Sequence, residues 1–339
     1  LKRIIMGKLT IKDIATMANV STATVSNYLN GNYDHMSLET RKNLSQIISD
    51  TKFRPNSTAR NLAKNENKTI GVSIADITNP FTSQVLSGIY EQCDNYRYRV
   101  LFTNAGNSEQ KEIDNITRLQ NEGVAGIIVD PVNPDSPIYE SLSNQNTVMV
   151  DRQSNKLIID TVATDNMTSV QNLVEQMKNK DYDNLYFVTW PFQNISTRTQ
   201  RYEGFIKATN YSTLNHLIAV PHHGKEIEYQ QFTQNISSIM QRNNTSKIGF
   251  FCMNARVLLR LLQAMQQLGY SYPQDYGVAT YEEFDWMQVM TPAISCIHQD
   301  SYSIGKVAMH ILKQKLEHKL LRQPTLKLIP TQQILRASF

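Results

Sequence analysis

The chain has 339 residues, with 34 Lys and Arg against 30 Asp and Glu, 40% hydrophobic residues and three cysteines. That length holds a small domain and a larger one with ample core, and the isolated Cys93, Cys252 and Cys296 exclude a disulfide scaffold or a paired-cysteine metal or redox site. No apolar run approaches membrane-spanning length and no secretory signal is legible around Met6, so a cytoplasmic protein is expected, with no membrane partner.

Leu9–Asn30 reads as two short helices joined by a tight turn. Ile11, Ile14, Ala15 and Ala18 fall at helical spacing behind Thr10, whose hydroxyl is placed to cap the helix. Asn19-Val20-Ser21 supplies a turn and a second cap. Thr22–Leu29 then resumes the pattern, with Val25 and Leu29 inward and Thr22, Ala23, Ser26 and Asn27 outward. Helices so spaced let the second lie in a DNA major groove. An ordinary helical hairpin gives the same pattern, but residues 1–65 carry ten Lys/Arg against four acids, while the remaining chain is slightly acidic. A basic head on a nearly neutral body fits phosphate contact by the head alone.

Met36–Arg41 opens a third helix, and the headpiece is expected over 8–55 with a linker over 56–68. Asn56–Asn65 is helix-compatible but too short to persist alone in water. Leu62 is its one large apolar residue, beside Arg60 and Lys64.

From residue 69 to 339 apolar runs alternate with amphipathic stretches. Strands are expected at 69–75, 98–103, 124–129, 147–150, 185–190, 247–251 and 276–281, with helices at 81–93, 108–122, 167–178, 198–208 and 255–268. Such alternation indicates parallel sheets covered on both faces, here two α/β subdomains with ligands at the carboxyl ends of the strands. The first subdomain is expected over 69–164 and 297–324, the second over 165–296 and 325–339.

The candidates for strand-end residues facing the cleft between them are Phe81, Asp151, Arg152, Trp190, Arg201, Asn254 and Glu282. Trp190 is either core filler or a stacking surface for a sugar, Arg201 an interdomain ion pair or a ligand group, Asp151 a turn cap or a reader of hydroxyls. Arg198 adds a third arginine to Arg152 and Arg201, and guanidinium forks suit a carboxylate or phosphate better than a neutral hexose. No phosphate-cradling Gly-rich loop, GxSxG elbow or HExxH is present, and His222-His223 lack partners at ligand spacing. No enzyme, metal or cofactor is expected.

Several segments carry a family likeness. Thr24–Gly31 (TVSNYLNG), Met36–Arg41 and Phe53-Arg54-Pro55-Asn56 resemble the headpiece of the lac repressor family of bacterial regulators. Asp76–Phe81, Asp151-Arg152, Arg201–Phe205, Asn254, Pro273-Gln274-Asp275 and the Gln299 to Gly305 stretch resemble its periplasmic-binding-protein-like body, so the likeness runs nearly the whole chain. It implies an α/β fold with a three-helix helix-turn-helix headpiece. It implies DNA contacts from Thr10, Thr22, Ala23, Thr24, Ser26, Asn27, Asn30, Arg54, Asn56, Arg60 and Leu62, the last as a minor-groove wedge in a hinge that folds on DNA. It also implies effector contacts from Asp151, Arg201, Asn254 and Glu282.

The chain departs from the family in three places. Asn27 stands where the family usually has Arg, Thr280-Tyr281-Glu282 where Gly-Phe-Asp is common, and Ala255 where Asp follows the Asn. The SNYLNG and VTWPFQNISTRTQRYEGF stretches look like the branch responding to 2-keto-3-deoxygluconate. The expected protein is therefore a homodimeric repressor of sugar-acid catabolism on a pseudo-palindromic operator. A neutral sugar, a purine or a phosphoprotein co-regulator could replace the sugar acid, and a sugar-binding transport protein is a further alternative.

Overall fold

The computed structural model describes residues 9–29, 31–34, 36–53, 68–192, 195–211, 213–221, 225–243, 245–318 and 323–339. Asn30, Arg54, Asn56, Arg60, Leu62 and the His222-His223 pair lie outside the described residues. Two compact units meet between residues 67 and 68, and each is described by itself.

In the head, α1 (Ile11–Ala18) starts at a capping box: the Asp13 N–H donates to the Thr10 hydroxyl at 3.3 Å and the Thr10 N–H to the Asp13 carboxylate at 2.8 Å. It stops at Asn19, which takes the left-handed conformation at φ +54°. For α2 (Thr22–Leu29), Ser21 Oγ accepts the Thr24 N–H at 3.1 Å. For α3 (Leu38–Thr51), Ser37 Oγ does the same for Thr40. Ile14, Ala15, Ala18, Val25, Leu44 and Phe53 close a small core.

The body begins with β1 (Thr69–Ile74), α4 (Pro80–Asn95), β2 (Arg99–Asn104), α5 (Glu109–Asn121), β3 (Gly126–Val129), β4 (Thr147–Val150) and β5 (Thr161–Thr164). It continues through α6 (Asn166–Lys178), β6 (Asn184–Thr189), α7 (Ser196–Thr209), β7 (Leu217–Ala219), α8 (Glu226–Arg242), β8 (Ile248–Cys252), α9 (Ala255–Leu268) and β9 (Gly277–Tyr281). It ends with α10 (Asp285–Val289), β10 (Ser295–Gln299), α11 (Ser301–His318), β11 (Leu326–Ile329) and β12 (Thr331–Ile334). Two six-stranded sheets form, ordered β11-β5-β4-β3-β1-β2 and β12-β10-β9-β8-β6-β7. Position by position the orders match, and every pairing is parallel except β10 with β12.

Strands β3, β4, β8 and β9 are buried throughout, as a sheet covered on both faces requires. Helices α4 and α11 approach closely at two glycines. A Cβ on Gly88 would meet the Tyr302 carbonyl at 2.1 Å, and one on Gly305 the Val85 carbonyl at 2.0 Å.

The chain passes between the lobes after β5, after β10 and between β11 and β12. The last two passages therefore fall near residues 300 and 330, not at the expected 297 and 325. The displaced strand is β11, which pairs with β5 in the first sheet. Three of its four residues are exposed, so its sequence gives no buried-strand signal.

Candidate functional site: the cleft between the lobes

The shared strand order places β4 and β9 at equivalent positions, and each ends in a carboxylate. Asp151 and Glu282 both have left-handed backbones, at φ +65° and +75°. Each N–H donates at 2.9 Å to the neighbouring strand, Asp151 to the Val162 carbonyl and Glu282 to the Ile297 carbonyl. The conformation costs a side-chain-bearing residue roughly 1 kcal/mol. Those hydrogen bonds hold each turn in place.

The facing cations come from α7 and from the residue after Asp151. Arg201 is buried, with Nε donating to Asn166 Oδ1 at 2.8 Å, Nη1 to the Met253 carbonyl at 2.9 Å, and its guanidinium 3.6 Å from the Tyr281 ring centroid. Arg152 Nη1 donates to the carbonyls of Pro131 (2.7 Å) and Val132 (2.8 Å). Arg198 Nη1 donates to the Pro191 carbonyl, and its guanidinium lies 5.5 Å over Trp190. All three guanidiniums thus hang from main-chain carbonyls, which fixes their planes.

Burial dominates the electrostatics. It pushes Glu282 up to about 7 against the attraction of Arg201, and raises Asp151 against Arg201 and Arg152. Asp130, at the end of β3, is likewise raised to about 7 by burial, opposed by Arg152. Arg198 is lowered to about 9 by burial and by repulsion from Arg152 and Arg201. Among the described residues no carboxylate forms an ion pair with it. It is a buried cation without a counter-ion among the described residues.

Phe81, Asp151, Arg152, Trp190, Arg198, Arg201, Asn254 and Glu282 all line one cavity of about 40 Å³. Trp190 both lines this cavity and belongs to the second lobe's core. Asn254 spends its Oδ1 on capping α9, accepting the Val257 N–H at 2.9 Å. Sequence reasoning missed Asn79, Ile195, Thr197 and Met253 in the lining, and Asn166 behind Arg201. Asn79 was legible as the cap directly before Pro80-Phe81. A larger groove, about 570 Å³, lies between α8 and α9, lined by Tyr229, Arg260 and Gln263 among others, but it gathers no comparable set of charges.

In the head, Thr22, Ala23 and Asn27 are exposed on α2, while Thr24 and Ser26 are half-buried. Thr24 Oγ1 is bonded to Ser21 Oγ at 2.9 Å and Thr10 Oγ1 to Asp13 at 2.6 Å, so both hydroxyls already have partners. Among the described residues no cluster of His, Cys, Asp or Glu could hold a metal, and no helix is long and apolar enough to cross a membrane.

Residues 10–56 match the model for bacterial regulatory proteins of the lacI family, and residues 70–320 that for a periplasmic binding protein domain. The HTH-type transcriptional regulator KdgR of Bacillus subtilis (strain 168) is 30% identical over 319 residues, 94% of each chain. The ribose operon repressor of Haemophilus influenzae is 24% identical, covering 95% of this chain and 96% of that one. Among solved structures, the lac repressor dimer bound to operator and the anti-inducer ONPF shares the fold at a TM-score of 0.82, with 18% identity over 98% of this chain and 99% of that one. With a matched reading head, a matched body and a full-length relative, the chain belongs to the lacI family and is a DNA-binding transcriptional regulator.

Proposed function

We propose that this regulator is a homodimeric repressor of sugar-acid catabolism genes, controlled by a small anionic sugar derivative such as 2-keto-3-deoxygluconate. Arg198 carries the reading. It is 6% exposed, its neighbours are a carbonyl, an aromatic ring and two more arginines, and an anionic ligand supplies the charge it lacks. Asp151 and Glu282 provide acceptors for sugar hydroxyls, so a polyhydroxy chain ending in a carboxylate meets both halves of the site.

A dimer is supported by exposed apolar side chains outside the cleft. Leu101 and Phe102 lie on the edge strand β2, Ile227 and Leu259 on α8 and α9, Val289 and Met290 at the end of α10. Two heads are also what a specific operator requires, since one buries too little surface.

A thermal-shift titration with 2-keto-3-deoxygluconate, gluconate, neutral hexoses and purines tests the effector. A ligand that binds the folded state alone raises the midpoint with concentration. Selective stabilisation by the sugar acids supports the reading. A response to neutral sugars only would discard the anion, and silence from every ligand would shift the switch to a protein partner.

A further inference from the structure

The cleft is bridged at two edges. At one, the Gln153 N–H donates to Ser196 Oγ at 2.8 Å, and Gln200 Nε2 to Gln153 Oε1 at 3.2 Å. At the other, Arg256 Nη1 on α9 pairs with Asp76 Oδ2, just past β1, at 3.1 Å. Asp76 is fixed in place because its other oxygen accepts the Thr78 N–H at 2.9 Å and the Thr78 hydroxyl at 2.7 Å. Arg256 also lies 5.2 Å over the Trp190 ring, the ring that Arg198 approaches.

The two bridges differ in leverage. The chain passes between lobes beside β5 and β11, and β1 stands three strands from β5. At a strand spacing of about 4.8 Å that is roughly 14 Å. A bond so far from the hinge line opposes opening with the longest arm, whereas Gln153 follows β4, one strand from β5. The Asp76 and Arg256 side chains are 13% and 30% exposed, so water screens the pair less than it would on an open surface. The cavity is lined from both lobes, by Phe81, Asp151 and Arg152 on one side and Trp190, Arg201 and Glu282 on the other, so whatever holds the lobes together also holds the site together.

We infer that Asp76 and Arg256 form the latch that holds the lobes closed, and that Arg256 is a positioning residue for effector binding. It acts through closure and through Trp190, without touching the ligand. The inference holds whichever ligand the cleft takes. A site assembled from both lobes binds in proportion to the fraction of molecules that are closed, so weakening the latch weakens binding.

Asp76→Asn keeps the acceptor for Thr78 and removes the charge, and Asp76 does not line the ring that reports. Full-length protein carrying Trp286→Phe leaves Trp190 as the sole tryptophan. In the ligand-free state, Asp76→Asn is expected to enlarge the radius of gyration by X-ray scattering and to increase acrylamide quenching of Trp190. Affinity for 2-keto-3-deoxygluconate, the probe used, is expected to fall about fivefold to tenfold. Adding Arg256→Gln should change it little further, because the two side chains act as one unit. Unchanged scattering and quenching in ligand-free Asp76→Asn would overturn the latch even if the effector assignment fails. Losses that add fully in the double variant would overturn it as well.

Discussion

The main-chain N–H of Ala255 donates to the Glu282 carboxylate across 3.3 Å, so the acid that ends β9 also meets the first residue of α9. Both positions depart from what is common in the family, which has aspartate at each. The departures compensate. A helix N-terminus favours negative charge, and two aspartates would share it. With alanine at 255 the end is left to one acid, and glutamate has the longer arm needed to reach it. Asn254 caps the same helix from the other side.

Glu282 nonetheless sits at about 7 through burial, and Asp130 does too. Both hold protons in the fold that an unfolded chain would release near its ordinary carboxylate pKa. Their contribution to ligand-free stability is therefore fully present at low pH and is lost as pH rises toward 7. An anionic effector follows the same direction, because deprotonation adds a like charge beside it. Its affinity is expected to fall between pH 6 and 8, by at most about tenfold per pH unit for each proton taken up. Calorimetry at three pH values checks this, and Glu282→Gln should flatten the slope. A flat profile in the unaltered protein would place the ligand's charge away from these acids.

Arg198→Gln separates binding from folding. The side chain is buried beside Arg152 and Arg201 with its ionised form disfavoured, so its removal should leave the unfolding midpoint unchanged or raised. Affinity for a sugar acid should drop roughly 100-fold, because the ligand's charge then lies buried without a partner. Operator binding, measured without effector, should be retained. Arg201 is expected to behave oppositely. Its loss leaves Asp151 and Glu282 facing each other and strips Asn166 and the Met253 carbonyl of a donor, so Arg201→Ala should abolish the effector response and lower the midpoint together.

Much of this cleft was legible because strand-end residues are punctuated by sequence: Asp151 follows the buried run TVMV, and Glu282 the buried run GVATY. Burial periodicity located β1, β4 and β6 within a residue. It passed over the short β5 and β7, over β10, whose sequence ends in His298-Gln299, and over the edge strands β11 and β12, which hold one buried residue between them. The partners of the arginines were not legible at all. Apart from Asn166 Oδ1 they are main-chain carbonyls at Pro131, Val132, Pro191 and Met253, set by loop geometry and carrying no residue signature.

Lys315, near the end of α11, buries its ammonium against Asp160 at 2.6 Å and donates to Asn144 Oδ1 and the Thr147 carbonyl, each at 2.8 Å. Burial pushes the Asp160 carboxyl up, but bonds from Lys315 and Thr325 outweigh it and hold the group below its ordinary range. The stability it adds is present at neutral pH and is lost as pH falls below the ordinary aspartate pKa. Lys315→Met leaves that carboxylate buried and unbalanced, at a cost of about 3–5 kcal/mol. Adding Asp160→Asn, which keeps an acceptor for Thr325, should restore part of the midpoint. Denaturant unfolding of both variants checks it, and a single variant as stable as the parent would rule the pair out as a stability determinant.

Asn27 is expected to set one base of the operator. It is exposed on α2 with Thr22 and Ala23, where the family usually carries arginine. An amide pairs with the N6 and N7 edge of adenine, whereas a guanidinium favours O6 and N7 of guanine. The preferred operator should therefore carry adenine at the base that Asn27 faces, and Asn27→Arg should move that preference to guanine. The discrimination expected is about 1–3 kcal/mol at that base pair, with other positions unaffected. Selection from randomised operators reads every position at once. An unchanged consensus after the substitution would remove Asn27 from base readout and leave it a backbone contact.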